Sequence, residues 1–282
     1  MAMCKVPERY PLVSIGMPVY NRPDGLRRSL TCLTNQTYKN IEIIVSDNCS
    51  PGEDVKNVIG EFMQHDNRIT YCRQEVSLGV DGNFKFVLEK ATGEFFMWAA
   101  DDDEWSEEFI EQCLKVLLQV DVVSVMSHFK TSYRFEGREE IARVPPLSID
   151  KSKAQNALTF LGCITPTLFY GLHKRSEIDF FLHDDFYEFY DCYFVLKLIL
   201  TGRVAVVEPC LYTAGVDAPT YQIKASNKYR FTQLRYSPLL FNSIKQVFLS
   251  TMKVHEKLSV IFKLIYVVMS LFWSHEIKRM FR

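Results

Sequence analysis

In the first hundred residues, short apolar runs alternate with stretches of helical period, and few folds accommodate that alternation. Residues 12–18, 41–46 and 69–73 read as strands, and a further apolar run, 95–100, follows. Between them, residues 24–36 place Leu26, Leu30 and Leu33 on one helical face, with Asp24 as the cap. Residues 54–64 and 84–90 supply two more helices, the second after a loop from Gly79 to Gly82. A β-α-β-α-β-α-β order with links this short predicts an α/β fold, a mostly parallel sheet with helices on both faces. The crossovers of such a sheet are right-handed, which leaves the topology little freedom.

The fourth run ends abruptly at Asp101, Asp102 and Asp103. Adjacent carboxylates repel one another by roughly 1–3 kcal/mol per pair, depending on how much water screens them. A divalent cation turns that repulsion into attraction, and hard oxygen ligands suit Mg²⁺ or Mn²⁺. The other reading is a solvated acidic turn in front of a helix starting near Ser106. In an open α/β sheet, ligands bind outside the carboxyl ends of the strands, so the triplet shares a rim with Asp47.

The second half reads as a helix over 106–119, a strand over 122–127 and a strand over 131–135. A segment over 160–167 is placed to close over a ligand. A helix over 176–181, an acidic aromatic stretch over 183–191, a helix over 192–200 and a strand over 204–208 follow, the domain ending near Val216. Of the chain's 282 residues, 48% are hydrophobic and 24% charged, enough for a sizeable core. The net charge of −1 gives no overall pull toward nucleic acid, so none is expected as a partner. The 8 cysteines lie singly, as in a reducing compartment, and the N-terminus has no signal-peptide core. A cytoplasmic location is expected.

From about Lys224 the composition changes. Lys224, Lys228, Arg230 and Arg235 alternate with aromatic residues, and residues 239–250 read as a helix. Residues 258–273 are apolar but for a narrow polar stripe, and would form a helix of about 24 Å, short of a bilayer core of about 30 Å. Lying on the inner membrane surface between flanking lysines and arginines is one reading. Packing on the preceding domain or on a second subunit is the other.

Five features taken in order resemble the family 2 glycosyltransferases: Pro18-Val19-Tyr20-Asn21, residues 45–50 around Asp47, Gly79 through Asn83, the Asp triplet, and Tyr190-Asp191 opening a helix. The resemblance implies a GT-A (Rossmann-like) catalytic domain over 1–220, with a nucleotide-sugar part over about 11–105 and an acceptor part over about 106–216. Residues 221–282 form a C-terminal helical extension. It implies a nucleotide-diphosphate sugar as donor and a glycan or lipid-linked saccharide as acceptor, in surface polysaccharide biosynthesis. Pro18, Val19, Tyr20, Asn21, Asp47 and Asn83 are expected to contact the nucleotide, together with Asp101 and Asp102. Asp101, Asp102 and Asp103 are expected to hold Mn²⁺ or Mg²⁺ in the family's DXD manner. Asp191 is expected to be the base of an inverting displacement, with Asp184 and Asp185 as runners-up. This chain departs from the pattern in two places: Tyr190 stands where the family has Glu, and the loop after the last strand carries Asp217 but no His. Trp98, Trp105, Phe169 and Tyr170 are candidates to stack on a sugar, most of them equally readable as core. Two rival readings remain, a non-catalytic membrane-associated relative of the fold and a sugar-phosphate nucleotidyltransferase. The second calls for a Gly-rich basic loop after the first strand, where this chain has Pro-Val-Tyr-Asn.

Overall fold

The computed structural model describes residues 10–142, 144, 147–186, 189–217 and 237–280. The basic stretch from Lys224 to Arg235 lies outside the described residues. The first half follows the alternation: β1 Val13–Val19, α1 Pro23–Thr34, β2 Ile41–Asp47, α2 Asp54–Met63, β3 Ile69–Arg73, α3 Gly79–Lys90 and β4 Phe95–Trp98. The second half comprises β5 Glu104–Trp105, α4 Phe109–Gln119, β6 Ser124–Tyr133, β7 Arg138–Ala142, α5 Lys153–Gly162, β8 Leu172–Lys174, α6 Phe180–His183, α7 Tyr190–Thr201 and β9 Val204–Val216. Two helices, α8 Ser237–Leu249 and α9 Val254–Met280, come last.

One sheet runs in the order β3-β2-β1-β4-β8-β6-β9-β5, with β7 paired to the second half of β6, from Phe129 to Tyr133. The β3-β2-β1-β4 half is parallel throughout. Every residue of β1 and β4 is buried, which requires cover on both faces. Beyond β4 the sheet is mixed: β8 is antiparallel to both β4 and β6, while β6 and β9 run parallel. Chain order reverses on either side of β1, so the crevice where ligands bind opens beyond the carboxyl ends of β1 and β4.

Several boundaries differ from the sequence expectation for local reasons. Helix α1 starts one residue before Asp24, because Pro23 is preset for the first helical position and Arg22 becomes the N-cap. Helix α3 starts at Gly79, where φ of +73° turns the chain into the helix, so the expected loop is its first turn. Strand β9 runs to Val216 because β6 pairs with it along its length through a bulge after Ser127. Under the crevice, the Trp98 ring packs at 4.4–4.8 Å from those of Phe96, Phe169 and Phe181. Trp98, Trp105 and Phe169 are therefore core, not sugar platforms.

Helix α9 is longer than the sequence suggested and packs on α5 and α8 through Val260, Leu264 and Val268. Val254, Leu258, Phe262, Tyr266 and Met269, spaced at one helical face, stay exposed. Among the described residues, no helix is long and apolar enough to cross a membrane.

Candidate active site

The crevice is built from four strand and helix ends. At the end of β1, Pro18 pairs with Ser46 and Val19 with Asp47 across the parallel ladder. Val19 is buried, whereas Tyr20 is 55% exposed on the rim. Asn21 turns the chain with φ of +52°, and its N–H donates to Ser50 Oγ at 2.8 Å. Asp47 closes the turn after β2: its carboxylate accepts from the Ser50 N–H at 2.8 Å and from Tyr71 Oη at 2.9 Å. Asn48 ties this turn to the start of α3, accepting from Leu78 N–H at 2.7 Å and donating to the Gly79 carbonyl at 3.1 Å. Asn83, expected to face a nucleotide, is turned inward instead. Its amide accepts from Ser46 Oγ at 2.5 Å and donates to the Ser46 carbonyl at 3.0 Å, so it fastens α3 to β2.

The three aspartates point in different directions. The carboxylate of Asp103 is buried, accepting from the hydroxyl of Tyr212 and from the Gly215 N–H at 2.8 Å. Its carbonyl accepts from Ser29 Oγ at 2.6 Å. Both of its oxygens thus serve β9, unlike those of Asp101 and Asp102. Asp101 and Asp102 turn toward the crevice and share one cation, Arg22 Nη1, at 3.0 and 2.8 Å. Burial pushes the Asp101 carboxyl up to about 7, against the pull of Arg22, and burial with the Asp102 charge pushes Asp103 up as well. Two glycines clasp the triplet. A Cβ on Gly25 of α1 would meet the Asp101 carbonyl at 2.2 Å, and one on Gly215 would meet the Asp102 carbonyl at 1.9 Å.

Three arginines complete this side, and sequence reasoning found none of them. Arg22, Arg28 and Arg134 converge on Asp217, the residue just past β9. Arg134 also pairs with Glu104 at 2.5 Å. Arg22 does adjoin Pro18-Val19-Tyr20-Asn21, but nothing in the spacing of Arg134 announces its position.

Across the crevice, Asp191 sits in the first turn of α7, its Oδ1 accepting from the Cys192 N–H at 2.8 Å. Burial raises its pKa, and among the described residues no cation pairs with it. Asp184 is engaged elsewhere, with Tyr190 Oη at 3.0 Å and Lys197 Nζ at 3.3 Å, and among the described residues Asp185 makes no such contact. Phe189, the N-cap of α7, holds φ of +62°. Tyr170, at the end of the turn Pro166–Tyr170, feels the charges of Asp101, Asp102, Asp103 and Asp191 together, and these with burial drive its hydroxyl pKa up. The triplet and Asp191 thus both lie within electrostatic reach of Tyr170.

Among the described residues no three acidic, His or Cys side chains are gathered as a ready metal cage. The donor chemistry nevertheless fits a hard divalent ion. Asp101 and Asp102 offer oxygens to the same point, now taken by one guanidinium nitrogen. Among the described residues, five carboxylates in this cluster (Asp101, Asp102, Asp103, Glu104, Asp217) outnumber its three guanidiniums.

Residues 14–175 match the profile of the family described as "Glycosyl transferase family 2". A relative from Campylobacter jejuni, the GalNAc(5)-diNAcBac-PP-undecaprenol beta-1,3-glucosyltransferase, is 38% identical over 95 residues, 33% of this chain and 30% of that protein. The chain spans less than half the length of this and the next such relative. Among solved structures, S. aureus TarS 1-349 in complex with UDP-GlcNAc superposes with a TM-score of 0.69 at 16% identity, covering 92% of this chain and 72% of that one. The mannosyltransferase PcManGT from Pyrobaculum calidifontis, in complex with GDP-Man and Mn2+, does so with a TM-score of 0.59 at 16% identity, covering 93% and 71%. At those identities the likeness is one of fold.

Proposed function

The chain belongs to glycosyl transferase family 2, and from that membership we propose that it is an inverting, metal-dependent transferase. Its donor is a nucleoside-diphosphate sugar, and its acceptor is a hydroxyl of a glycan or lipid-linked saccharide in surface polysaccharide synthesis. One observation carries the reading: Asp191, whose pKa burial raises and which among the described residues pairs with no cation, acts electrostatically on the same Tyr170 as Asp101 and Asp102 do. The names of the relatives agree, one with a lipid-diphosphate-linked acceptor and one with a donor and Mn2+.

In this reading Tyr20 offers its exposed ring to the nucleobase, while Asp47 and Val19 shape the floor beneath it. Asp101 and Asp102 are the residues that would hold Mn²⁺ or Mg²⁺, with Asp103 as the buried peg that orients them. The bound ion supplies Lewis-acid relief of the charge gathering on the leaving diphosphate. Asp191 takes the proton of the acceptor hydroxyl as its oxygen attacks the anomeric carbon. The bond to the diphosphate breaks on the opposite face, so configuration inverts. A carboxyl whose pKa is raised by burial is a stronger base toward that proton than a solvated one. The turn Pro166–Tyr170 walls the space against water, which would otherwise hydrolyse the donor.

The exposed apolar stripe of α9, with Lys253, Lys257 and Lys263 nearby, supports docking on an anionic membrane surface where a lipid-linked acceptor resides. The test of the chemistry is Asp191→Asn. Transfer should fall by about 10²–10⁴-fold while nucleotide binding is kept, because only the general base is removed. Turnover near the wild-type rate would exclude Asp191 from that role.

A further inference from the structure

The three arginines are arranged for a larger anion than the one they hold. Arg134 Nη1 reaches Asp217 at 2.9 Å, a normal charge-assisted distance. Arg28 reaches it only at 3.2 and 3.3 Å and Arg22 at 3.4 Å, both longer than such bonds prefer. Among the described residues the buried Arg28 Nε has no partner at all. A carboxylate has two oxygens on one planar carbon, whereas each guanidinium brings five N–H donors in a rigid fork. Asp217 cannot answer three forks at close range, and the unspent donor among the described residues is Arg28 Nε, on the side away from Arg134.

The cluster also lies where its charge would be useful. Arg22 is the N-cap residue of α1 and Arg28 lies two turns along it, so a helix N-terminus contributes its partial positive charge beside them. Arg22 simultaneously touches Asp101 and Asp102. An anion seated on the arginines would be adjacent to a cation held by those two carboxylates. Asp217, by contrast, adds a fifth negative charge to a neighbourhood that must accept a polyanion.

We propose that Arg22, Arg28 and Arg134 form an oxyanion site for the diphosphate of a nucleoside diphosphate, and that Asp217 is its exchangeable internal occupant. Binding of the diphosphate displaces the Asp217 carboxylate from the guanidiniums; no covalent bond changes. The residues assigned here rest on the transferase reading above, which supplies the diphosphate. The competing role for Asp217, a metal ligand in place of the family's histidine, predicts the opposite response to its removal.

The experiment is calorimetric titration of the full chain with inorganic pyrophosphate and with UDP, each with Mn²⁺ and with chelator. The variants are Asp217→Asn and Arg28→Gln. Removing an internal competitor should tighten pyrophosphate and UDP binding in chelator by about tenfold in the Asp217 variant, and Arg28→Gln should weaken both by a similar factor. Weaker Mn²⁺-dependent binding in Asp217→Asn, with no gain in chelator, would overturn the proposal and make Asp217 a metal ligand. Equal binding by wild type and both variants would overturn it as well. If the Asp217 variant fails to fold, unchanged pyrophosphate affinity in Arg28→Gln overturns it alone. Should pyrophosphate bind as expected while UDP, GDP, dTDP and CDP all fail, the oxyanion site stands and the transferase reading falls.

Discussion

Asp103 accepts from two donors, the buried Tyr212 hydroxyl and the part-buried Gly215 N–H. Asp103→Ala should therefore cost about 2–4 kcal/mol of stability, the penalty of leaving buried polar groups unpaired. Its neighbour Asp102 faces the crevice and is paired with Arg22. Asp102→Asn relieves like-charge repulsion, so unfolding by urea should shift by under about 1 kcal/mol while Mn²⁺-dependent UDP binding is lost. Urea titration and calorimetry on both variants check the pair, and the reverse pattern would mean that Asp103 is the ligand and Asp102 the peg. The three letters of the triplet are identical, so their division of labour was invisible in the sequence. It depends on Tyr212 and Gly215, more than a hundred positions away. Asn83 eluded sequence reading for a similar reason: both its partners, the hydroxyl and the carbonyl of Ser46, lie on β2, 37 positions away.

Short β8 staples the two halves of the sheet, antiparallel to β4 on one side and β6 on the other. Its His173 is fully buried, with Nε2 against the Phe169 carbonyl at 3.0 Å and, among the described residues, Nδ1 without a partner. The first contact makes Nε2 the protonated nitrogen of a neutral ring. Burial lowers the His173 pKa to about 4. Below pH 6.5 the unfolded chain takes up a proton at His173 that the folded one refuses until about pH 4, so this residue withdraws stability across that window, opposing the buried carboxyls of Asp101 and Asp103, which the folded chain protonates first. The His173 share should approach about 3 kcal/mol at pH 4, read as the difference between wild type and His173→Asn in unfolding curves at pH 7, 5.5 and 4. An unchanged slope would place the buried titration elsewhere. The parallel half of the sheet was readable because its central strands are covered on both faces and so appear as unbroken apolar runs. Strands β6 and β9 were cut short on paper because their outer halves are half-exposed and β9 carries Pro209 at its bulged turn. The three-residue β8 is too short to carry any period.

At the scale of the whole molecule, the crevice and the exposed face of α9 are the two surfaces left to explain. Both belong to one reading if the acceptor is carried by a lipid. Leu258→Glu combined with Phe262→Glu should abolish sedimentation with vesicles containing anionic phospholipid, because both side chains are exposed and their apolar area is what the interface would bury. The melting temperature should stay within a few degrees, since neither residue packs against α5 or α8. Retained sedimentation would take the membrane away from α9. The order of motifs along the chain gave the placement of the crevice, since strand polarity alone puts Asp47 and the triplet on one rim. The arginine side was not readable, because three elements distant in sequence meet there.

The non-glycine residues with left-handed backbone among the described ones, Asn21, Cys49 and Phe189, all stand around the crevice, after β1, after β2 and before α7. Each holds a conformation that costs a side-chain-bearing residue about 1–2 kcal/mol and glycine almost nothing, asparagine the least of the three. A lineage drifting under selection for heat tolerance alone would replace them with glycine first. That they stand here as asparagine, cysteine and phenylalanine leaves backbone strain at three turns around the crevice that glycine would release.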